Sequence, residues 1–502
     1  MPSKRTIVIL GGGTAGWMCA AALSPLIRTG RINVRLVESD QIATVGVGEA
    51  TLPHIKTFND SLGIDEAAFM RATHATFKLG IAFAGWGSER YIHPFGIFGQ
   101  DWGGAPFQHH WLRAHLTGMA SPLEDYSFAV AAATAHRFGF PDGDTASVRS
   151  TLSYAYHFDA ALYAGFMRDF AVKAGVTRTE GRVVSVARDP NSGHVASLQF
   201  ESGAIVTGDL FVDCSGFIGL LINAVAPDQW EDWSDWLPCD RAWAVPSAKT
   251  ADMAPYTLAT AREAGWQWTI PLQHRTGNGY VFSSRFTTDA DAMDLLLRNL
   301  PTDALADPKL LKFRAGRRPK SWSGNVVAMG LASGFLEPLE STSIYLVQAA
   351  IRELTPLLAT GNEDPRARDT FNRAMATEYD RIRDFLILHY HVTDREEPLW
   401  RHVRNMTVPD SLGAKLELFR HRAYIESYNS GLFSPPSWLA VLVGQGVMPQ
   451  GYDRTVDWMP VDRLVGMLDE YKGRIASEVA VMASHEQALA SYLTPAPTEM
   501  AS

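Results

Sequence analysis

Four places in the chain combine residue types and spacing that could do chemistry. The first is Gly11-Gly12-Gly13-Thr14-Ala15-Gly16, set directly after the apolar run Thr6-Ile7-Val8-Ile9-Leu10. Such a run suits a central parallel strand buried on both faces. In a G-x-G-x-x-G turn the first glycine permits the bend, the second lets backbone approach a pyrophosphate, and the third lets the next helix pack on the strand. Residues 17–26 read as that helix, with its N-terminal amides turned towards phosphate. A second strand, Asn33-Val34-Arg35-Leu36-Val37, leads to Glu38 and Ser39, about 20 residues past the turn, where an acid holds ribose hydroxyls. The second place is Lys78, whose amine sits in an apolar stretch with Phe77, Leu79, Ile81 and Phe83. Most lysines are solvated surface groups, and the residues alone give Lys78 that reading. The third is Glu340, followed by Ser341-Thr342-Ser343 and the apolar run 344–350. Taken locally, it is a helix start whose acid and hydroxyls offset unpaired amides. The fourth is Trp266-Gln267-Trp268-Thr269-Ile270-Pro271, a half-buried strand that presents a rigid aromatic face and stops at proline.

The elements around the glycine turn favour FAD over NAD. Val45-Gly46-Val47-Gly48-Glu49-Ala50-Thr51-Leu52-Pro53 offers glycines for backbone contact with a flat ring or its ribityl chain. Asn325-Val326-Val327-Ala328-Met329-Gly330-Leu331-Ala332 reads as a remote strand ending at a glycine before a helix. That unit completes the flavin site in many FAD monooxygenase-type folds, and simple NAD dehydrogenases have no need of it. The expected fold is α/β, an FAD-dependent monooxygenase-like core of the GxGxxG Rossmann type with an added, mostly helical C-terminal substrate region. Expected cofactor contacts are Gly11, Gly13, Thr14, Ala15, Gly16, Glu38, Ser39, Gly48, Glu49, Ala50, Val183, Gly330, Leu331 and Ile344. No second strand–GxGxxG–helix unit is present to hold NAD(P)H, so a separate NAD(P)H-dependent flavin reductase should supply FADH2.

Four blocks in order give the chain a resemblance to the flavin-dependent halogenases of the tryptophan halogenase family over nearly its whole length. They are Gly11-Gly12-Gly13-Thr14-Ala15-Gly16-Trp17-Met18, Thr76-Phe77-Lys78-Leu79-Gly80, the tryptophan segment, and Phe335-Leu336-Glu337-Pro338-Leu339-Glu340-Ser341-Thr342-Ser343. The resemblance implies halogenation of an electron-rich aromatic substrate, indole or an indole derivative, with FADH2, O2 and chloride or bromide. Lys78 matches the family's catalytic lysine, which receives hypohalous acid by hydrogen bonding or as a haloamine. Desolvation favours the neutral amine that a haloamine needs. Glu340 matches the glutamate that acts with the lysine, polarising the halogenating species or accepting the ring proton. The Thr342 and Ser343 amides match the halide-binding turn, an anion site at unpaired N–H groups, where many relatives have glycine at the Ser343 position. Trp266, Trp268, Ile270 and Pro271 match the wall that separates flavin from substrate. His93-Pro94-Phe95 resembles the segment that sets an aromatic ring against indole. A flavin-dependent aromatic monooxygenase, which needs neither halide nor lysine, and a catalytically silent flavoprotein binding an aromatic ligand are the alternatives. Lys78 and Glu340 together argue against both.

The composition agrees with small-molecule chemistry. A chain of 502 residues, 46% hydrophobic, can bury a large core, and a net charge of −9 without a basic block disfavours nucleic acid. The three cysteines, Cys19, Cys214 and Cys239, are too scattered for a disulfide framework, and His109-His110 would point apart, so no metal is expected. No run approaches the ~18 apolar residues of a membrane span, and the opening residues hold no signal segment. A cytoplasmic protein follows, with a homodimer allowed. The division expected is 1–362, an FAD-binding core with inserted substrate-facing β segments; 363–493, a helical substrate-capping region; and 494–502, a disordered tail. Within the second, residues 366–391 and 461–493 carry helical periodicity. The lid that grips the amino-acid group in relatives specific for free tryptophan has no evident match, which makes an indole or a larger indole-bearing molecule at least as good a candidate.

Overall fold

The computed structural model of the chain describes residues 4–41, 48–87, 89–359, 364–428 and 431–494. The division expected at 362–363, Val45-Gly46-Val47 and the tail from residue 495 lie outside these residues. The chain separates into two compact units, each assembled from three stretches. One is Met1–Ala75, Phe158–Asp240 and Lys312–Asp380, and the other is Thr76–His157, Arg241–Leu311 and Arg381–Ser502. Among the described residues no helix is long and apolar enough to cross a membrane. The three cysteines are free thiols, with Cys19 and Cys239 buried.

The first unit is built on a six-stranded sheet in the order Trp322–Ser323, Val326–Ala328, Leu210–Asp213, Arg5–Leu10, Ile32–Glu38, Thr177–Glu180. All neighbours pair in parallel except the edge strand Trp322–Ser323. The apolar run at the N-terminus therefore occupies an interior strand, and Ile7, Val8 and Ile9 are fully buried, as a strand covered on both faces requires. On one face Val8 and Leu10 join Leu198, Phe200 and Val206 of a three-stranded antiparallel sheet. Helix Thr14–Arg28 packs against helices Ala160–Lys173 and Thr342–Ala359. It starts at Thr14, three residues before the expected 17, because the turn feeds straight into it. The expected helix directly after Gly330 is absent. A 3-10 turn Gly330–Ala332, the short strand Gly334–Phe335 and a second 3-10 turn Pro338–Glu340 come first, and the helix begins at Thr342. Pro338 limits what can precede that helix, since it brings no N–H of its own.

The second unit centres on a seven-stranded sheet. Its order is Lys309–Lys312, Arg241–Ala248, Arg275–Phe282, Gly265–Pro271, Thr257–Arg262, Gly80–Ala84, Tyr91–Pro94. The tryptophan segment is the middle strand, paired antiparallel on both sides. Strand Thr76–Lys78 pairs separately with residues 155–157, Lys78 opposite Ala155 and Thr76 opposite His157. Helices fill the C-terminal part, as expected. The periodic stretch 461–493 is two helices, Val461–Val481 and His485–Leu493. The break arises at Ser484, whose hydroxyl accepts from the Gln487 amide while the Gln487 side chain returns to the Ser484 amide, a capping box that starts a new helix.

Candidate active site

The glycine turn of the first unit is shaped by close backbone approach. Gly11 has φ +119°, and a Cβ there would meet the Cys214 carbonyl oxygen at 2.2 Å. Gly16 lies so near the Gly11 carbonyl that a Cβ would fall 1.9 Å from its oxygen. Gly12, which sequence reasoning passed over, is fixed by Glu38: a Cβ would sit 1.5 Å from Oε2. The Glu38 carboxylate thus folds over the turn, receiving hydrogen bonds from Trp17 Nε1 at 3.2 Å and from Arg178, which also binds Asp40. Among the described residues, nothing lies within 4 Å of a Cβ built on Gly13, and no side chain caps the helix that follows it. Amides that no described side chain caps, beside a glycine that lets a ligand approach the backbone, suit a phosphate.

The remaining expected cofactor contacts fall into three groups. Thr14 and Ala15 open the helix, and Gly330, at φ +60°, would place a Cβ 3.0 Å from that of Ala15, so the remote turn is held against the helix N-terminus. Leu331 is half-buried beside it. Val183 packs on the cluster that contains Leu10 and Val37, at the ends of the two nucleotide strands. Ile344 is buried in the first turn of helix Thr342–Ala359. Ser39 accepts from the Gln41 amide. Gly48, Glu49 and Ala50 form a short strand. Glu49 touches the surface, yet its carboxyl lies out of water, and desolvation pushes it up to about 7.

Around Glu340 the chain turns sharply. Glu340 ends the 3-10 turn fully buried, Ser341 is left-handed at φ 58°, and Thr342 begins the helix. The Thr342 hydroxyl is buried and has no hydrogen-bond partner among the described residues. An orphaned hydroxyl beside the first amides of an 18-residue helix is the kind of arrangement that accepts an anion.

In the second unit Lys78 is 0% exposed, and its Nζ lies 5.0 Å from the centre of the Phe95 ring. Burial of an ammonium or amine against an aromatic face removes water from its reactions. The Phe95 amide donates to the Leu79 carbonyl at 2.7 Å, and the Phe95 carbonyl accepts from Ser153 at 2.7 Å, so the ring's backbone is fixed beside the lysine strand. Pro94 pairs with Gly80, where a Cβ would meet the His93 carbonyl oxygen at 2.4 Å. The His93 ring turns the other way, edge-on to Phe385 at 5.7 Å and near Phe433 at 6.1 Å, with Trp438 also against Phe385. Phe95 and Lys78 are therefore brought together, while the His93 ring packs against Phe385 and Phe433.

Trp266 and Trp268 lie on one side of the middle strand with ring centres 6.1 Å apart, 1% and 7% exposed. The Trp268 indole occupies the space a side chain at Gly279 would take, since a Cβ there would fall 2.0 Å from two indole carbons. Ile270 is buried on the same strand, and the Pro271 carbonyl accepts the Thr76 hydroxyl at 2.8 Å. The end of the tryptophan strand is thereby tied to the strand of Lys78. That hydroxyl, His157 and His485 are the residues that sequence reasoning missed here. Their partners lie up to 408 positions away, and no local signal marks them. His109 and His110 part as expected, the first facing the Asp453 amide and the second the Trp102 carbonyl.

Comparison with known proteins places these features in a family context. Residues 6–461 match the family model described as tryptophan halogenase. Tryptophan 7-halogenase RebH of Lentzea aerocolonigenes is 34% identical over 509 residues, covering 92% of this chain and 94% of its own. A flavin-dependent halogenase from Xanthomonas campestris has the same fold at TM-score 0.93 with 45% identity, covering 98% of this chain and 99% of its own. BrvH, a flavin-dependent halogenase from Brevundimonas sp. BAL3, superposes at TM-score 0.93 with 44% identity over 98% of this chain and all of its own, 100%.

Proposed function

Because the chain belongs to the tryptophan halogenase family, we propose that it halogenates an electron-rich aromatic substrate, indole or an indole derivative, through hypohalous acid delivered to Lys78. Family membership makes it an enzyme, and such halogenases use FAD as FADH2, a halide co-substrate and a separate flavin reductase. The Gly13 backbone, the helix that no described side chain caps and the Glu38 carboxylate fit FAD, with Thr14, Ala15 and Gly330 alongside. When bound, the reduced cofactor supplies the oxidising equivalents from O2 that convert chloride or bromide to hypohalous acid.

The protein's own groups do the rest. Thr342 and Ser343 hold the halide with backbone amides at the helix start, and the orphaned Thr342 hydroxyl supports this reading. Trp266, Trp268, Ile270 and Pro271 keep the organic substrate from meeting the oxidant where it is made, and take no chemical step. Lys78 presents electrophilic halogen, by hydrogen bonding hypohalous acid or as a haloamine. Glu340 polarises the halogenating species or accepts the proton lost from the ring. His93, Pro94 and Phe95 seat the aromatic substrate, and the helical region 363–493 caps it. The packing of Phe385 and Phe433 against His93, with Trp438 behind Phe385, supports both roles. The protein works in the cytoplasm, and a homodimer is the candidate assembly.

One observation carries this reading: a lysine wholly out of water, with its Nζ over an aromatic ring of the substrate segment. The test is turnover with FAD, a flavin reductase, NADH, O2, chloride or bromide and a panel of indoles, read by mass spectrometry. Chlorine or bromine isotope patterns are expected. Hydroxylated products alone would make the protein a monooxygenase, and flavin binding without turnover would make it a ligand-binding flavoprotein.

A further inference from the structure

Every backbone neighbour of Lys78 is fixed by a partner remote in sequence. The Leu79 amide donates to the Pro255 carbonyl at 2.7 Å, and the Leu79 carbonyl accepts from Phe95. On the other side two buried histidines take hold. The Phe77 amide donates to His485 Nε2 at 3.2 Å, and the Thr76 hydroxyl meets His157 Nδ1 at 3.2 Å.

Donor counting fixes the proton on both rings. The Thr76 hydroxyl has one proton, and it goes to the Pro271 carbonyl at 2.8 Å. His157 Nδ1 must therefore carry a proton and donate to Thr76 Oγ1. In the neutral ring Nε2 is then bare, and the Thr257 hydroxyl donates to it at 2.9 Å. A directed chain results, from Thr257 through His157 and Thr76 to the carbonyl that ends the tryptophan strand. At His485, Nδ1 faces the Met253 carbonyl at 2.9 Å, which can only accept, so Nδ1 is protonated and Nε2 is bare for the Phe77 amide. A second proton on His485 would set two donors against each other. Both rings are fully or almost fully buried, and burial holds both below the ordinary imidazole range.

We infer that His157 and His485 are positioning residues that clamp the backbone carrying Lys78, each as the neutral Nδ1–H tautomer. This rests on Lys78 being the group that delivers halogen, as proposed above. The clamp also ties the delivery strand to the tryptophan strand through Thr76, and it recruits the C-terminal helix His485–Leu493, beyond the 6–461 span of the family match.

The test has two arms. Nitrogen-15 NMR of histidine-labelled protein, with signals assigned by loss in the variants, should show both residues neutral with the proton on Nδ1. An Nε2–H tautomer or an imidazolium at neutral pH at either residue overturns the assignment without any reference to activity. In the second arm, halogenated product per FADH2 oxidised is measured with the reductase system. His157→Leu should lower that yield roughly tenfold or more, the scale on which misplacing a reacting group acts, with flavin affinity unchanged. His157→Asn, which restores an N–H near Nδ1, should recover most of it, and His485→Gln, which restores an acceptor for the Phe77 amide, should exceed His485→Leu in the same way. Wild-type yield in a folded leucine variant, or no rescue by the conservative ones, removes the clamp. Lys78→Ala run in parallel separates the two ideas, because halogenation that survives it overturns the role of Lys78 and leaves the tautomer result standing.

Discussion

Lys78 and Trp268 show how a single side chain depends on what surrounds it. The lysine has no distinguishing local pattern, and in the buried site it meets the ring of Phe95, whose amide is held by the Leu79 carbonyl. Lys78→Ala is expected to abolish halogenated product while O2 still consumes the reduced flavin, measured by mass spectrometry alongside oxygen uptake. Continued halogenation would exclude the amine from the mechanism. Trp268 depends on a glycine of the neighbouring strand: Gly279 lies inside strand Arg275–Phe282, where the indole covers it and the Trp243 carbonyl crowds it. Gly279→Ala is expected to cost about 1–3 kcal/mol, as overpacking does, and to alter tryptophan fluorescence. Urea melting at wild-type stability would show that the indole has room to move. Gly12 follows the same logic, occupied from outside by Glu38.

At the scale of elements, the short strand Thr76–Lys78 is held by side chains as well as by its own ladder. Thr76→Val leaves a buried carbonyl and an imidazole N–H without partners. At ~1–3 kcal/mol for each unsatisfied group, the loss should be about 3 kcal/mol, seen as a lower urea midpoint. His485 makes the same region acid-sensitive. Desolvation lowers it to about 4, with His136 lowering it further and the Met253 carbonyl and Glu486 opposing. The folded state therefore resists a proton that the unfolded chain takes up below about 6.5. Stability from the neutral ring is complete above that pH and is lost as pH falls towards 4, a span worth ~3 kcal/mol. Glu49, raised to about 7, acts in the opposite direction, but it does so equally in His485→Gln. That variant should accordingly show a shallower loss of stability between pH 6.5 and 4 than the wild type, and parallel curves would assign the acid response elsewhere. The sequence reading ran 461–493 as one periodic stretch and passed over the start of helix His485–Leu493, although Ser484-His485-Glu486-Gln487 has the S-x-x-Q spacing of a capping box. The helix expected after Gly330 was not legible, because three short elements stand where an apolar run suggested continuity.

For the whole molecule, the absence of a second nucleotide turn in the sequence led to a partner that supplies reduced flavin. If that supply is by diffusion, chemically reduced FAD should replace reductase and NADH and still give halogenated product. A strict need for the reductase protein would point to direct transfer between the two. The sequence by itself determined the nucleotide strand and turn, the acid after the second strand, the α/β class and the family, because each rests on contiguous spacing that local backbone geometry dictates. The tertiary structure decided which polar atoms meet. Thr76 and His157 are 81 positions apart, and Phe77 and His485 are 408 apart. Hydrogen bonds of that range carry no periodicity along the chain, so the burial of Lys78, the proton positions on its two histidines and the fit of Gly279 under Trp268 emerge only when distant strands are packed into one core.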